Sequence, residues 1–299
     1  MNRGADRYRL ACCMPLRDPG PELLETLASF EQCEVKPFLI VVDDGSTVPV
    51  EIDFARFGLD GMVFRFKGKV GISAALNTAL ILALGLGFQV IARMDGDDLN
   101  HAARFSKQLA YLHQHPECLA VFGGADLIDE SGALTGSRTP PSDTGRLLRA
   151  MALNNVLIHP TAALRAEYIS RIGLYSDAFP RAEDYDYFMR GLAEGVVHVM
   201  NTRLISYRLR QGSVSFSHYR QQLISRLRVQ WRYLRLFGVA GWIGMARTLG
   251  LLLAGYLLPV RMVGALRRRW SHAFGPGART LRRARSPSRD VAGSRSVGA

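Results

Sequence analysis

Two apolar runs in this chain break off into knots of carboxylates, and that narrows the folds open to it. Ile40-Val41-Val42 runs into Asp43-Asp44-Gly45-Ser46-Thr47, and Val90-Ile91-Ala92-Arg93-Met94 runs into Asp95-Gly96-Asp97-Asp98. A third acidic group, Arg181-Ala182-Glu183-Asp184-Tyr185-Asp186, comes much later. Short apolar runs rich in β-branched residues are the buried strands of a parallel sheet. An open α/β sheet binds its ligand at the carboxyl ends of such strands. One acidic strand end is explained by a turn; three in order point to a site.

The spacing around these runs predicts alternating elements. Strands are expected at Tyr8–Met14, stopped by Pro15, and at Phe38–Val42, Met62–Phe66, Phe88–Met94 and Leu119–Phe122. Helices are expected at Glu22–Gln32, Gly71–Leu84 and Ala102–His115, where apolar residues recur at helical spacing. The alternation predicts an α/β fold with a mostly parallel, twisted sheet and helices on both faces. After Asp126 the pattern loosens: a loop at Ser137–Thr144, a short helix at Leu147–Met151, and an irregular stretch from Asn154 to Arg165. A helix at Tyr185–Glu194 and a strand at Val196–Met200 close this part.

Charge divides the chain. The net charge is +12, yet the acidic residues lie mostly before Glu194, and Arg203 begins an almost purely basic second part. That asymmetry calls for an anionic partner, lipid or nucleic acid. Arg220–Leu266 reads as long, apolar and helical, with Arg228, Arg232, Arg235 and Arg247 on about one third of the circumference of a continuous helix. A stretch around Gly238–Leu258 is long enough to span a bilayer, but Arg247 near its middle would cost about 2.5–3.5 kcal/mol. The one-sided arginines favour a helix lying on anionic lipid; the plainer reading is a helical hairpin packed on the catalytic domain. Cys12, Cys13, Cys33 and Cys118 form no metal-binding pattern and are expected as buried, reduced thiols of a cytosolic protein. No apolar segment of secretory type precedes the first strand.

Asp95 and Asp97, two apart at a strand end, can reach one divalent cation, with Asp98 close enough to help. Asp184, at a helix start beyond the sheet core, is placed to act as a general base. Each motif also has a plainer reading: a capped turn for Asp43-Asp44-Gly45-Ser46, a solvated loop for Asp95–Asp98, a helix-dipole contact for Glu183-Asp184.

Taken in order, Met14-Pro15, Val42–Thr47, Gly71–Asn77, Ile91–Asp98, Arg104–Leu109, His159-Pro160-Thr161, Ala182–Asp186 and Tyr207-Arg208 resemble the family 2 glycosyltransferases across roughly residues 8–215. The resemblance implies a GT-A fold, a nucleotide-sugar donor, Mg²⁺ or Mn²⁺, and inversion at the anomeric carbon; UDP is the expected nucleotide. It implies donor contacts at Pro15, Asp43, Asp44, Asn77, Arg93, Asp95 and Arg208, metal ligation by Asp95 and Asp97, and Asp184 as base. Glu183, His159 and Asp98 are expected as supporting or acceptor-side residues. Two departures stand out: Met14-Pro15 replaces the usual Tyr-Asn, and no Gln-x-x-Arg-Trp follows, which favours single-sugar transfer over polymer synthesis.

The domains expected are a GT-A domain over 1–215, a helical membrane-associating extension over 216–270 and a disordered basic tail over 271–299. The expected partners are a nucleotide-sugar donor, a glycan or lipid-linked acceptor and an anionic membrane surface, with no specific nucleic acid. The expected location is peripheral, on the cytoplasmic face of the cell membrane. The rivals are a nucleotidyltransferase on a similar sheet and a non-enzymatic basic binder of nucleic acid or lipid.

Overall fold

The computed structural model describes residues 9–209 and 216–257. The basic tail expected over 271–299, and the extension beyond 257, lie outside the described residues. The strands are β1 (Leu10–Leu16), β2 (Phe38–Asp43), β3 (Gly61–Arg65), β4 (Val90–Arg93), β5 (Leu99–Asn100), β6 (Ala120–Ile128), β7 (Leu134–Arg138), β8 (Ala163–Arg165) and β9 (Val197–Arg208). The helices are α1 (Glu22–Ser29), α2 (Ile72–Gly85), α3 (Arg104–Gln114), α4 (Thr144–Leu153), α5 (Ala166–Ile172), α6 (Glu183–Ala193), α7 (Phe216–Arg232), α8 (Leu234–Phe237) and α9 (Val239–Leu257).

The strands make one sheet in the order β3-β2-β1-β4-β8-β6-β9-β5, with β7 beside β6. From β3 to β4 all pairs are parallel. The chain leaves β1 toward β2 and β3, then returns on the other side at β4, so the direction switches at β1 and a crevice opens there. Beyond β4 the sheet is mixed: β8 runs antiparallel to β4 and β6, and β6 pairs with β9 in parallel.

Both faces are buried, as a covered sheet requires. Along β1, Ala11 and Cys13 pack with α2, α4 and α6, while Leu10, Cys12, Met14 and Leu16 pack with α1 and α3. Each fully buried Leu or Phe on these faces stabilises the fold by about 1.5–3 kcal/mol. All four cysteines are buried and free. Burial pushes the Cys12 and Cys118 thiols up to about 12, leaving them unreactive.

Two expectations are corrected. Pro15 does not stop the first strand: β1 continues to Leu16, with Pro15 opposite Val42. The Cys13 carbonyl accepts from Met94 N on the β4 side, and the β4 register ends at Cys13 and Arg93. Two residues on, the N–H that Pro15 lacks would face that same side past the end of the ladder, so no strand bond is lost. The long C-terminal helix is also broken. Gly238, at φ 57°, turns the chain between α8 and α9, and α9 folds back against α7 and α4. Arg247 therefore sits on a different helix from Arg228 and Arg232, and the single basic stripe does not form. Gln230 Nε2 donates to the Ala152 carbonyl at 2.8 Å, and a Cβ added at Gly244 would strike that same carbonyl. The extension is thereby docked on the α/β domain.

Candidate active site

The carboxyl ends of β1, β2 and β4 open onto two cavities that share Arg181, Asp184 and Gln222. The larger, about 760 Å³, is lined by Pro15, Asp44, Lys69, Gly71 and Glu183 among others. The smaller, about 470 Å³, is lined by Arg93, Asp95, Arg138, Asn155, His159 and Tyr207 among others.

The first acidic strand end divides its labour. Asp43 is fully buried and accepts from Ser46 N at 2.8 Å and Val50 N at 3.3 Å, with Arg65 Nε at 3.5 Å. Burial opposes its ionisation, but the hydrogen bonds and Arg65 outweigh burial and hold Asp43 below its usual value. It lines neither cavity. Asp44 does, and its carboxylate accepts from Val70 N at 2.5 Å and Gly71 N at 3.1 Å. Gly45, which follows them, has φ 67°, and a Cβ there would collide with the Gly68 backbone, so only glycine fits the turn.

The second acidic end forms a cluster. Asp95, Asp97 and Asp98 each offer a carboxylate oxygen, all within 4.8 Å of one another. Asp98 is buried; its Oδ1 accepts from Arg208 N at 2.9 Å, and its Oδ2 has no partner. Burial, followed by the charge of Asp95, pushes Asp98 well above the ordinary carboxylate range. Three hard oxygen ligands converging on one point, one of them an orphaned buried atom, fit a divalent cation such as Mg²⁺ or Mn²⁺. Arg93 donates from NH2 to Asp95 at 2.5 Å. Its Nε and NH1 are buried without a partner.

The third group opens α6. Asp184 Oδ1 accepts from Tyr185 N at 2.7 Å, and Oδ2 accepts from Asn155 Nδ2 at 2.8 Å. Asn155 Oδ1 in turn accepts from Leu157 N at 3.2 Å, which fixes the amide orientation. Burial raises Asp184 above its ordinary value despite these bonds and Arg93. Glu183 is pushed up to about 7, first by burial and then by Asp184, and its Oε2 is unpartnered. Arg181, at φ 62°, holds a backbone conformation unfavourable for a side chain of its size and lines both cavities.

Other expected site residues are tied into the fold, His159 while also lining the smaller cavity. Asn77 exchanges two bonds with the backbone of Tyr175, at 2.9 and 2.8 Å, and lines neither cavity. Arg208 is buried beneath the acidic loop, donating to the Asp97 carbonyl at 2.9 Å and to Glu25 at 2.6 Å; it too faces neither cavity. His159 meets Tyr175 Oη at 2.8 Å, and burial, then Arg93, hold it well below its usual value, so it is neutral near pH 7.

Arg104, fully buried, donates from NH2 to the carbonyls of Arg93 and Pro160, each at 2.7 Å. Gln108 adds a bond to the Thr161 carbonyl at 2.8 Å. The α3 motif and the His159 motif thus belong together because one scaffolds the other. Sequence reasoning missed Arg138, Asn155 and Tyr207 as cavity residues. Arg138 and Asn155 lie in stretches read as loop or irregular; Tyr207 stood beside Arg208 in a quoted motif but was given no role.

The described residues thus place a half-buried carboxylate of raised basicity on a wall common to two cavities, with an acidic cluster that could hold a cation reaching the smaller one. The sequence profile described as Glycosyl transferase family 2 matches residues 12–173. An uncharacterized glycosyltransferase of Haemophilus influenzae is 27% identical over 237 residues, covering 76% of this chain and 85% of its own length. The O-antigen biosynthesis glycosyltransferase WbnJ of Escherichia coli is 28% identical over 174 residues, covering 58% of this chain and 64% of its own. Among solved structures, S. aureus TarS in complex with UDP-GlcNAc superposes with a TM-score of 0.56 at 16% identity, over 86% of this chain and 83% of TarS. At that identity the likeness is one of fold.

Proposed function

The chain belongs to glycosyl transferase family 2, and from that premise we propose a metal-dependent, inverting transferase that moves one sugar from a nucleoside diphosphate to an acceptor hydroxyl. UDP is the proposed nucleotide, by analogy with the ligand of TarS. The acceptor is a glycan or lipid-linked glycan of surface polysaccharide assembly, by analogy with WbnJ. One observation carries the reading: Asp95 and Asp184 line the same cavity, so the metal-binding end and the base face one space.

The donor's nucleoside would occupy the larger cavity, against Pro15 and the Gly71 loop that Asp44 holds in place. Asp95 and Asp97, with Asp98, would hold Mg²⁺ or Mn²⁺, and the ion supplies charge to offset that developing on the departing diphosphate. Arg93 offers its two unpartnered N–H groups to diphosphate or sugar oxygens. Asp184 accepts the proton of the acceptor hydroxyl. As that oxygen bonds to the anomeric carbon, the bond from carbon to the diphosphate oxygen breaks on the opposite face and its electron pair leaves with UDP. Asp43, Asn77 and Arg208 keep the loops in position without touching donor or acceptor.

The proposed location is peripheral, on the inner face of the cell membrane. α9 holds an apolar window, Val239–Tyr256, long enough to cross a bilayer by length and composition. Its packing on α4 and α7 supports lying against the membrane instead.

Asp97→Ala tests the metal reading. Mn²⁺-dependent release of UDP from a nucleotide-sugar should fall by at least about 100-fold. Turnover near that of the unaltered enzyme refutes the proposed ligand, and release of pyrophosphate in place of UDP would mean nucleotidyl transfer.

A further inference from the structure

Among the described residues, two groups of side chains bring three metal-ligating atoms within 4.8 Å of one another. One is the acidic cluster of Asp95, Asp97 and Asp98. The other, His115, Glu117 and His198, lines neither cavity and has no part in the reaction described above. Arg104, which opens α3, holds the Arg93 carbonyl near the acidic cluster. His115 closes the same helix eleven residues on, about 16 Å away along its axis.

The end of α3, the loop after it and β9 build this second group. His115 N donates to the Tyr111 carbonyl at 3.0 Å, and Pro116 cannot continue the helix. Cys118 N then donates to the His115 carbonyl at 3.0 Å, a tight turn that sets Glu117 beside the imidazole. His198 comes from β9, where it lies opposite Val121 of β6. Leu119 N donates to the Val196 carbonyl at 2.9 Å, and Arg165 Nε to the Cys118 carbonyl at 3.0 Å. The loop is thereby fixed against the strand that carries His198.

His115 Nδ1 stands 3.1 Å from Glu117 Oε1. A hydrogen bond accounts for that spacing, but not for the second imidazole, whose centroid lies 5.9 Å from that of His115. Tyr111 positions both rings. It stacks on His115 with centroids 4.3 Å apart, and its Oη meets His198 Nδ1 at 3.2 Å. Outer contacts of this kind orient ligating imidazoles. A tetrahedral ion with bonds of about 2.0–2.1 Å sets its ligands about 3.4 Å apart, so these atoms close on one with about an ångström of side-chain movement. The negative end of the α3 dipole favours a cation there. The His115 and Glu117 side chains are 40% and 57% exposed, so an ion reaches them from solvent. The Cys118 thiol is buried and donates to the Ala120 carbonyl, so no sulfur joins the set. Two imidazoles and a carboxylate suit Zn²⁺, Co²⁺ or Ni²⁺, whereas Mg²⁺ and Mn²⁺ prefer the all-oxygen cluster.

We propose that His115, Glu117 and His198 bind a divalent ion of the zinc type, which ties the C-terminal end of α3 to β9 at a site separate from that of the reaction. Three protein ligands leave a fourth position to water. Neither donor nor acceptor is needed for this ion to bind.

The test uses the untagged full chain, stripped of metal, with Asp97→Ala present to disable the acidic cluster. Calorimetric titration with Zn²⁺ should show one site, and Mg²⁺ should bind there far more weakly. His198→Gln and His115→Gln, on separate elements, should each weaken Zn²⁺ by at least about tenfold, since losing a ligand costs no less than losing an outer contact. Tyr111→Phe, which keeps the stacked ring and loses Oη, should weaken it less. Zn²⁺ should raise the melting temperature, and His198→Gln should abolish the rise; His115→Gln serves if His198→Gln fails to fold. Co²⁺ should give the strong visible absorption of a four-coordinate ion, lost in the histidine variants. Zn²⁺ binding that appears only when Asp97 is restored would place the ion in the acidic cluster and overturn the proposal. So would Mg²⁺ binding as tightly as Zn²⁺, or Zn²⁺ affinity undiminished by both histidine substitutions.

Discussion

As the proposed base, Asp184 would meet two opposed demands: it must be basic enough to take a hydroxyl proton, yet ionised at the working pH. Burial answers the first by raising its pKa, and the bonds from Tyr185 N and Asn155 Nδ2 answer the second by stabilising the carboxylate. Replacement by Asn keeps the shape and loses the proton acceptor. Asp184→Asn should therefore lower kcat by about 100- to 10,000-fold while leaving donor affinity within about twofold; weaker donor binding with unchanged turnover, read from steady-state kinetics, would reassign the residue. Asn155→Ala is subtler. Without that bond the carboxylate is harder to ionise, so the acidic limb of the pH profile of kcat/KM should move to higher pH. Arg93 and Glu183 also act on Asp184 and remain in this variant. A merely structural role would lower activity without moving that limb. These two residues mark what a sequence can disclose. Asp95, Asp97 and Asp184 were legible as candidates because strand-end and helix-start carboxylates have a pattern. Asn155 was not, because an amide in an irregular loop acquires meaning only when folding sets it 2.8 Å from its partner. Asp43 was legible as special, but the pattern does not tell a carboxylate that faces a cavity from one that ties a turn.

At the scale of elements, α6 begins with Glu183, Asp184 and Asp186 in its first turn, where the positive end of the helix dipole favours negative charge. For Glu183 the gain is outweighed by burial and by its neighbour, which push it up to about 7 from a reference of 4.5. The folded protein thus binds this proton more tightly than the unfolded chain. Stability from this group is fully present below about 4.5 and is lost as pH rises through about 7. Glu183→Gln has no such proton to lose. Its melting temperature should therefore gain on that of the unaltered protein as pH rises from about 5 to about 8, as followed by circular dichroism; parallel curves would mean that Glu183 ionises normally. The acidic turn was visible in the sequence, and so were the long periodic elements α2 and α3. Those that escaped were β5, β7, β8 and α5. β8 spans Ala163–Arg165 and exists because β4 and β6 flank it, so its stability is tertiary and leaves little periodicity to read. The Pro15 error has the same origin: a proline ends a strand only where its N–H is needed, and that depends on where β4 stops.

For the molecule as a whole, the distribution of charge and apolar surface sets the orientation. From Gly195 to Arg289 the chain has no Asp or Glu. Within that stretch the α7–α9 hairpin exposes Trp231 at 64% and Trp242 at 59%, enough to leave both rings free for another surface. Indole rings at a polar boundary, beside arginines and an apolar groove, suit the headgroup layer of an anionic bilayer. The packing of Gly244 and Gln230 on Ala152 argues for the proposed lying arrangement over crossing. A spanning α9 would have to leave α4, exposing the apolar face it now covers and adding the cost of Arg247 in the bilayer. The full chain should therefore float with vesicles containing phosphatidylglycerol and not with neutral ones. High salt should release it, because screening weakens the attraction of arginines to lipid. Replacing both Trp231 and Trp242 with Ser should cut the bound fraction by at least about tenfold, since each ring withdraws apolar area from water on binding. UDP release from a soluble donor analogue should be unchanged in that variant, because neither residue lines the two cavities. Resistance to both high salt and alkaline carbonate would instead mean that α9 crosses the bilayer, and the docked hairpin would then not be the form present in the membrane.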